Sequence, residues 1–167
     1  LIPKMNYPVS KAVGSLVFSQ WALENNLKLK YLRIFQVYGE GEDKNRLWPS
    51  LKRAAELGDD FELTNGEQVR DFTYVDDIVS GIITIVESEP KFTVVNVTTE
   101  ETVSVNKMVE LTKTVTGKSP DVKHVQDREG QIYKEQISNS RLKSLGWEPL
   151  FTSDRGFLLS YEYYKTN

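Results

Sequence analysis

The segment NYPVSKAVGSLVFSQWALENNLKLKYLRIFQVYG, residues 6–39, predicts a helix followed directly by a strand. Asn6 can cap the helix, and Pro8 is tolerated in a first turn, where its missing N–H group costs little. Apolar residues then recur with a helical period, at Val9, Val13, Leu16, Val17 and Trp21. Beyond them, apolar and β-branched residues indicate one strand from about Lys28 to Val37. A helix that leads into a strand is typical of an α/β fold.

The rest of the chain continues this alternation. Helices are predicted from near Pro49 to Gly58, from Asp76 or Asp77 to Pro90, from Ser104 to Gly117, within SNSRLKSLGW, and from Thr152 or Ser153 onward. Extended segments are predicted at DFEL, QVRDFTYV, FTVVNVT and DVKHVQ, with an Asn-Gly turn between the first two. We therefore expect helices that cover the faces of a sheet.

Composition excludes several kinds of site. The chain has 167 residues and a formal net charge of -3, and its Lys and Arg residues form no long block, which argues against nucleic acid as a partner. With no cysteine and one histidine, it cannot form disulfides, cysteine-ligated metal sites or a histidine-rich metal site. No run approaches the roughly 18 apolar residues that span a bilayer. The first residues also lack the features of a signal peptide, so we expect a cytoplasmic protein with no membrane partner.

Tyr7 and Lys11 are the first candidate functional pair. Residues four apart lie on one face of a helix, and a lysine cation near a phenol favours the phenolate. Such a tyrosine can exchange a proton with a carbonyl or carbinol oxygen while a hydride moves at the carbon. The spacing alone is weak evidence, because Y-x-x-x-K also arises by chance on solvated helix faces.

Four sequence blocks in a fixed order make a functional interpretation of Tyr7 and Lys11 more specific. They are YPVSKA, LRIFQVYGEG, VRDFTYVDDIVSGI and DREGQIYKEQISNSRLKSLGWEP. The set resembles the extended short-chain dehydrogenase/reductase family of NAD(P)-dependent sugar-nucleotide epimerases, dehydratases and ketoreductases, from about Asn6 to Pro149. The resemblance implies the carboxy-terminal part of a Rossmann-like fold with a smaller mixed α/β substrate-binding lobe. Residues 1–40 would end the dinucleotide-binding domain and 41–167 would mainly form the lobe, with 71–97 returning partly to the Rossmann sheet.

The resemblance also implies roles for individual residues. Tyr7 and Lys11 would be catalytic and, with Phe35, would contact the nicotinamide end of NAD or NADP. Gln36 would contact the substrate, although the family usually has the shorter Asn here, so that contact is expected to be displaced.

Three arginines would bind the substrate's nucleotide part. Arg70 matches the pyrophosphate-binding arginine, and a guanidinium can hold phosphate oxygens with two parallel hydrogen bonds. An ion pair of Arg70 with Asp71 or Asp76 is the structural alternative. Arg128 matches a second pyrophosphate or ribose contact, and Arg46, in a polar loop, is a weaker candidate.

Other chemically suggestive residues have ordinary structural explanations. A helix cap and its neighbour account for the carboxylate pair Asp76 and Asp77, and His124 is expected to be structural in its strand. The aromatic tail YEYYK is expected to pack as part of the last helix.

The ten glycines form no G-x-G-x-x-G or G-x-x-G-x-x-G pattern, so these 167 residues contain no dinucleotide-type phosphate turn. In the family, that turn and the Ser or Thr that completes the catalytic set precede the tyrosine. We therefore expect the chain to correspond to the carboxy-terminal half of such an enzyme, and to bind NAD(P) poorly and be inactive by itself.

The expected parent reaction is NAD(P)-dependent reduction of a 4-keto-deoxysugar nucleotide, as in the ketoreductases that finish dideoxysugars for surface polysaccharide. A 4-epimerase and a 4,6-dehydratase remain alternatives, and so does a non-catalytic module that binds sugar nucleotides. The family often dimerises through helices of this region, which implies a homodimer through the 9–23 helix.

Overall fold

The computed structural model describes residues 6–127, 132–134 and 136–166, and within them it confirms the alternation of helices and strands. The helices are α1 (Asn6–Glu24), α2 (Leu47–Leu57), α3 (Val75–Ser88), α4 (Val105–Thr116), α5 (Ser140–Lys143) and α6 (Ser153–Thr166). The strands are β1 (Tyr31–Ile34), β2 (Gln36–Tyr38), β3 (Asp60–Leu63), β4 (Val69–Tyr74), β5 (Val94–Val97), β6 (Thr102–Ser104) and β7 (Asp121–His124).

The single strand expected from Lys28 to Val37 is wrong, because the chain breaks at Phe35 and changes sheets there. β1 pairs in parallel with β5, whereas β2 pairs in parallel with β4, whose other edge pairs antiparallel with β6. Continuous β-branched sequence predicts extended backbone but not which neighbour each half will pair with. The break places Gln36, the first residue of β2, at the junction between the two sheets.

The Asn-Gly turn lies between β3 and β4 as expected, yet these two strands do not form a hairpin. β3 instead pairs in parallel with β7, far along the chain. Gly66 has a φ of 71°, and a Cβ there would collide with the Asn106 side-chain amide. The turn therefore requires glycine both for its backbone conformation and for the close approach of α4.

Two apolar clusters hold the elements together. The larger one joins α2, α4 and α6 to β2 and β4 and contains Tyr38, Trp48, Leu51, Phe72, Tyr74, Met108, Leu111 and Phe157. Its aromatic centre is a stack of Tyr38 on Phe157 at 4.4 Å, and Trp48 Nε1 donates to Ser160 Oγ at 2.9 Å. The smaller cluster joins α3 and α5 to β5 and contains Ile78, Ile85, Val95, Val97, Leu142 and Trp147.

The predicted ends of α4 are confirmed, but the predicted cap of α3 is wrong. Ser104 accepts from the Lys107 backbone N–H, and Gly117 ends α4 in the left-handed conformation. Tyr74, not Asp76 or Asp77, occupies the cap position of α3.

Asp77 has a different role, because it is fully buried and fastens a distant segment to α3. Its carboxylate oxygens accept from the backbone N–H groups of Leu150, at 2.7 Å, and Phe151, at 3.3 Å. Burial raises the pKa of Asp77, and these two backbone donors partly offset that effect. Asp77, which the local sequence predicts as a helix cap or its neighbour, therefore makes a tertiary contact instead.

Asp71 links the two sheets. It is fully buried on β4, where Thr73 Oγ1 donates to Oδ1 at 2.7 Å, and Thr98, just beyond β5, donates to Oδ2. The two hydroxyls in turn accept from the backbone N–H groups of residues 99 and 100. The network fixes the end of β5 against the strand that carries Arg70.

Replacing Asp71 by Ala should destabilise the chain by about 2–4 kcal/mol, because two buried hydroxyls lose their acceptor. Urea unfolding followed by circular dichroism measures the effect. Asp59→Ala is the matched control, since Asp59 is exposed and its side chain makes no hydrogen bond among the described residues. A loss no larger than that of the control would show that the network does not stabilise the fold.

Candidate active site

A cleft of about 630 Å³ lies where β2, β3, β4, α2 and α4 meet. It brings together three of the predicted substrate-binding residues, Gln36, Arg46 and Arg70, from separate parts of the chain. Its volume is within the range of about 300–1,000 Å³ that is usual for small-molecule sites.

Gln36 reaches the cleft because it is the first residue of β2. It pairs in register with Phe72 of β4 and is half-buried. The sheet fixes its backbone, so the side-chain amide enters the cleft from a rigid position.

Arg70 reaches the cleft from β4. Its guanidinium donates to the Val69 carbonyl oxygen at 2.9 Å and to the Ile132 carbonyl oxygen. The carboxylate of the neighbouring Asp71 is held by two threonines instead. Backbone carbonyls therefore hold the arginine at the cleft wall, and the proposed Asp71 ion pair is not what orients it.

Arg46 comes from the loop before α2 and is exposed. Its backbone N–H donates to the Asp43 carbonyl at 2.9 Å, and its own carbonyl accepts from Ser50 at 3.0 Å. The loop geometry thus places a second guanidinium at the rim of the same cleft.

Two acceptors in the cleft wall, Glu42 and Gln68, were not predicted from the sequence. Glu42 Oε2 and Gln68 Oε1 are both buried and have no hydrogen-bond partner among the described residues. Gln68 is only 6% exposed, and its amide nitrogen donates to Thr64 Oγ1. Buried oxygens without donors are rare in folded proteins, so they mark the part of the wall where a ligand's donors can bind.

Burial raises the pKa of Glu42 to about 7, although the Arg46 guanidinium and the Gly39 backbone both act in the opposite direction. The only sequence signal for this residue is its place two residues after Tyr-Gly-Glu in a glycine-bearing loop. Desolvation cannot be read from such a pattern, because it depends on how the loop packs.

Tyr7 and Lys11 do not line this cleft. Both are on α1, where Tyr7 is 71% exposed and Lys11 Nζ lies 5.3 Å from the centre of the Tyr7 ring. Phe35, at the strand break, is half-buried and also lies outside the cleft lining. Arg128 falls outside the described residues.

The surface of α1 is divided into three faces. The half-buried or buried face consists of small residues, Pro8, Ala12, Ser15, Ser19 and Ala22. A second face exposes Val9, Val13, Leu16, Val17 and Trp21. The third carries Tyr7, Lys11 and the 59%-exposed Phe18. A helix that is apolar on most of its surface is normally covered on more than one side.

The described parts of the chain contain no group of three or more His, Asp or Glu side chains arranged to hold a metal ion. None of the helices among these residues combines the length and apolarity that crossing a bilayer requires.

Comparison with known proteins finds relatives among enzymes that are named for sugar nucleotides. CDP-abequose synthase of Salmonella typhimurium is 28% identical over 158 residues, which cover 90% of this chain and 53% of that protein. UDP-glucose 4-epimerase of Thermotoga maritima, solved with UDP-glucose, is 28% identical, with a TM-score of 0.85 over 99% of this chain and 55% of that one. dTDP-glucose 4,6-dehydratase of Bacillus anthracis, solved with NAD, is 25% identical, with a TM-score of 0.88 over 100% of this chain and 54% of that one.

The chain therefore spans about half the length of the curated relatives it matches. The sequence model of the NAD dependent epimerase/dehydratase family matches residues 2–98, which is more than half of this chain. The expected Rossmann-like α/β fold is confirmed by the solved relatives, and the chain belongs to the NAD dependent epimerase/dehydratase family.

Proposed function

We propose that this chain supplies the substrate-binding and proton-transfer residues of an NAD-dependent oxidoreductase that acts on a nucleotide-linked sugar. The observation that carries the proposal is the cleft, where Arg46 and Arg70 lie beside the buried acceptors of Glu42 and Gln68. A nucleotide-linked sugar has the complementary groups, namely a pyrophosphate for the guanidinium groups and hydroxyl donors for the acceptors.

The proposed reaction is reduction of a 4-keto-deoxysugar nucleotide. Similarity to a CDP-abequose synthase supports it, and so does the simple requirement of a reductase for a proton donor and a cofactor. Epimerisation at C4 and 4,6-dehydration remain alternatives, because two of the relatives are named as a 4-epimerase and a 4,6-dehydratase. A binding module without chemistry is the alternative of another class, and the retained pair of Tyr7 and Lys11 argues against it.

The donors on α1 fit the nicotinamide end of NAD or NADP. The Tyr7 hydroxyl and the Lys11 ammonium are on one helix face, and both can donate to ribose hydroxyls or to a carbonyl oxygen. When bound, the cofactor supplies or accepts the hydride. Tyr7 gives its proton to the substrate carbonyl oxygen during reduction and takes it back during oxidation, while the Lys11 charge stabilises the phenolate. Phe35 would give the nicotinamide ring an apolar contact at the strand break.

We further propose that a second copy of the chain covers the Val9–Val13–Leu16–Val17–Trp21 face of α1. This face is mostly apolar and exposed over the residues from Val9 to Trp21, and its centre, near Val13, lies well around the helix from Tyr7 and Lys11. Exposed apolar stripes of this kind mark association surfaces.

Leu16→Glu combined with Val13→Glu should convert a dimer into a monomer in sedimentation velocity experiments. Phe18→Glu is the control, because Phe18 is similarly exposed but lies on the opposite face of the same helix. A monomeric wild type, or dissociation by the Phe18 variant instead, would contradict the proposed face.

Isothermal titration of the 167-residue chain with UDP-, CDP- and dTDP-sugars tests the cleft. We expect one of them to bind, and Arg70→Gln to weaken that binding about 10- to 100-fold, as expected for loss of about 1.5–3 kcal/mol of charge-assisted hydrogen bonding. Arg155→Gln, an exposed arginine outside the cleft, should bind normally. The same chain with NADPH should show no turnover, because it contains no Gly-rich phosphate turn; measurable turnover would refute that expectation.

In the complete enzyme, Tyr7→Phe should lower kcat about 10²- to 10⁴-fold through loss of the proton donor. Binding of the nucleotide-linked sugar should change less than about threefold, since Tyr7 lies outside the cleft. Full activity of the variant would exclude Tyr7 as the acid, and binding without any redox chemistry in the wild type would favour the non-catalytic module.

A further inference from the structure

Glu42 is placed in the cleft by the loop between β2 and α2, and it is the one carboxylate there with a buried oxygen that lacks a partner among the described residues. Buried carboxylate oxygens are normally supplied with hydrogen-bond donors, as Asp71 and Asp77 both illustrate. Glu42 is thus the exception among these three carboxylates.

The charged and titratable groups around Glu42 come from four elements. Arg46 approaches from the start of α2 and favours the carboxylate form. Tyr164 on α6 donates to the Gly39 carbonyl at 3.1 Å, and its own pKa is raised mainly by burial and in part by the charges of Glu42 and Glu40. Arg70 reaches the same cleft from β4. Glu40 accepts from the Tyr74 hydroxyl at 2.6 Å and so remains fixed on the other side of the loop.

These surroundings leave Glu42 divided between its neutral and charged forms near neutral pH, since burial raises its pKa to about 7. A second negative charge brought into the cleft would disfavour the carboxylate and raise that pKa further. A neutral carboxyl group, by contrast, both accepts and donates a hydrogen bond and does not repel a phosphate.

We propose that Glu42 contacts the bound nucleotide-linked sugar and takes up a proton as the ligand binds. The inference rests on the proposed function, because it requires an anionic ligand in this cleft. The proton goes from the buffer to the carboxylate, and no other bond is made or broken. Glu42 thereby changes from a repelling charge into a neutral group that can both accept a hydrogen bond from the ligand and donate one to it.

The direction of the pH dependence follows from the raised pKa. Below about pH 6 Glu42 is already protonated in the free chain, so binding is independent of pH. Above about pH 7 the free chain must first gain the proton, so affinity falls as pH rises. The two phosphates of a nucleotide-linked sugar are diesters and do not titrate in this range.

Calorimetric titration of UDP-, CDP- and dTDP-glucose into the chain, in two buffers of different ionisation enthalpy, measures the proton directly. If binding raises the pKa by about one unit, the wild type takes up about 0.5 proton at pH 7.5, and its Kd rises about sevenfold from pH 6.0 to 8.5. Glu42→Gln, which keeps the shape and removes the titration, should take up no proton and show less than a twofold change in Kd over the same range.

His124→Gln is the control, because His124 contacts the Thr64 carbonyl oxygen at the cleft wall but does not itself line the cleft. It should retain the wild-type proton uptake. Thermal melts verify that each variant is folded, and Glu42→Ala repeats the test should Glu42→Gln not fold.

The experiment distinguishes failure of the proposed function from failure of the inference about Glu42. If none of the three nucleotide-linked sugars binds the wild type, the proposed function fails and this inference fails with it. If one binds without proton uptake, or if Glu42→Gln or Glu42→Ala keeps the uptake, the inference about Glu42 is overturned while the proposed function stands.

Discussion

The contact of Asp71 with Thr73 and Thr98 is the interaction on which the candidate site depends most. It is the buried polar link between the β2–β4–β6 sheet and the β1–β5 sheet, and the chain passes between the same two sheets at Phe35. Arg70 is next to Asp71 on β4, and Gln36 follows Phe35 on β2. The relative position of these two cleft residues is set by the direct pairing of β2 with β4, and the carboxylate between two hydroxyls holds the strand that carries Arg70 against the end of β5 more specifically than apolar packing does.

Helix α1 is subject to a different constraint. Its small residues allow close packing on one side, while two further faces expose valine, leucine and aromatic side chains. Exposing this much apolar surface is unfavourable at roughly 25 cal/mol per Å², so both faces favour association. The division also separates two roles, because the face with Tyr7 and Lys11 is distinct from the one proposed to bind a second copy. Association through that face would leave the proposed proton-transfer pair accessible to substrate and cofactor.

Local sequence predicted most helix ends and the general order of elements, since those depend on residues within one turn. The cap at Ser104 and the stop at Gly117 are examples. It failed where the outcome depends on distant partners: the strand that divides at Phe35, and Asp77, which binds backbone some seventy residues away. The same limit applies to the site. Motif blocks pointed to Gln36 and Arg70, and a polar loop pointed to Arg46. Glu42 and Gln68 lie outside the blocks, and only packing shows that their oxygens are buried and without partners among the described residues.

The net charge of the whole chain does not indicate how the cleft interacts with an anion; the charges that line the cleft do. A protein with a net charge of -3 repels an anionic ligand at long range, so affinity must come from groups that meet the phosphates at short distance, where screening is weakest. In the proposed complex Arg46 and Arg70 would supply the attraction, and a permanently ionised Glu42 beside Arg46 would cancel part of it. Burial weakens that cancellation, because it favours the neutral carboxyl and so leaves the arginine charge available to the ligand. If the proposed function holds, the packing of the loop before α2 affects binding through the charge state of Glu42 as well as through the shape of the cleft.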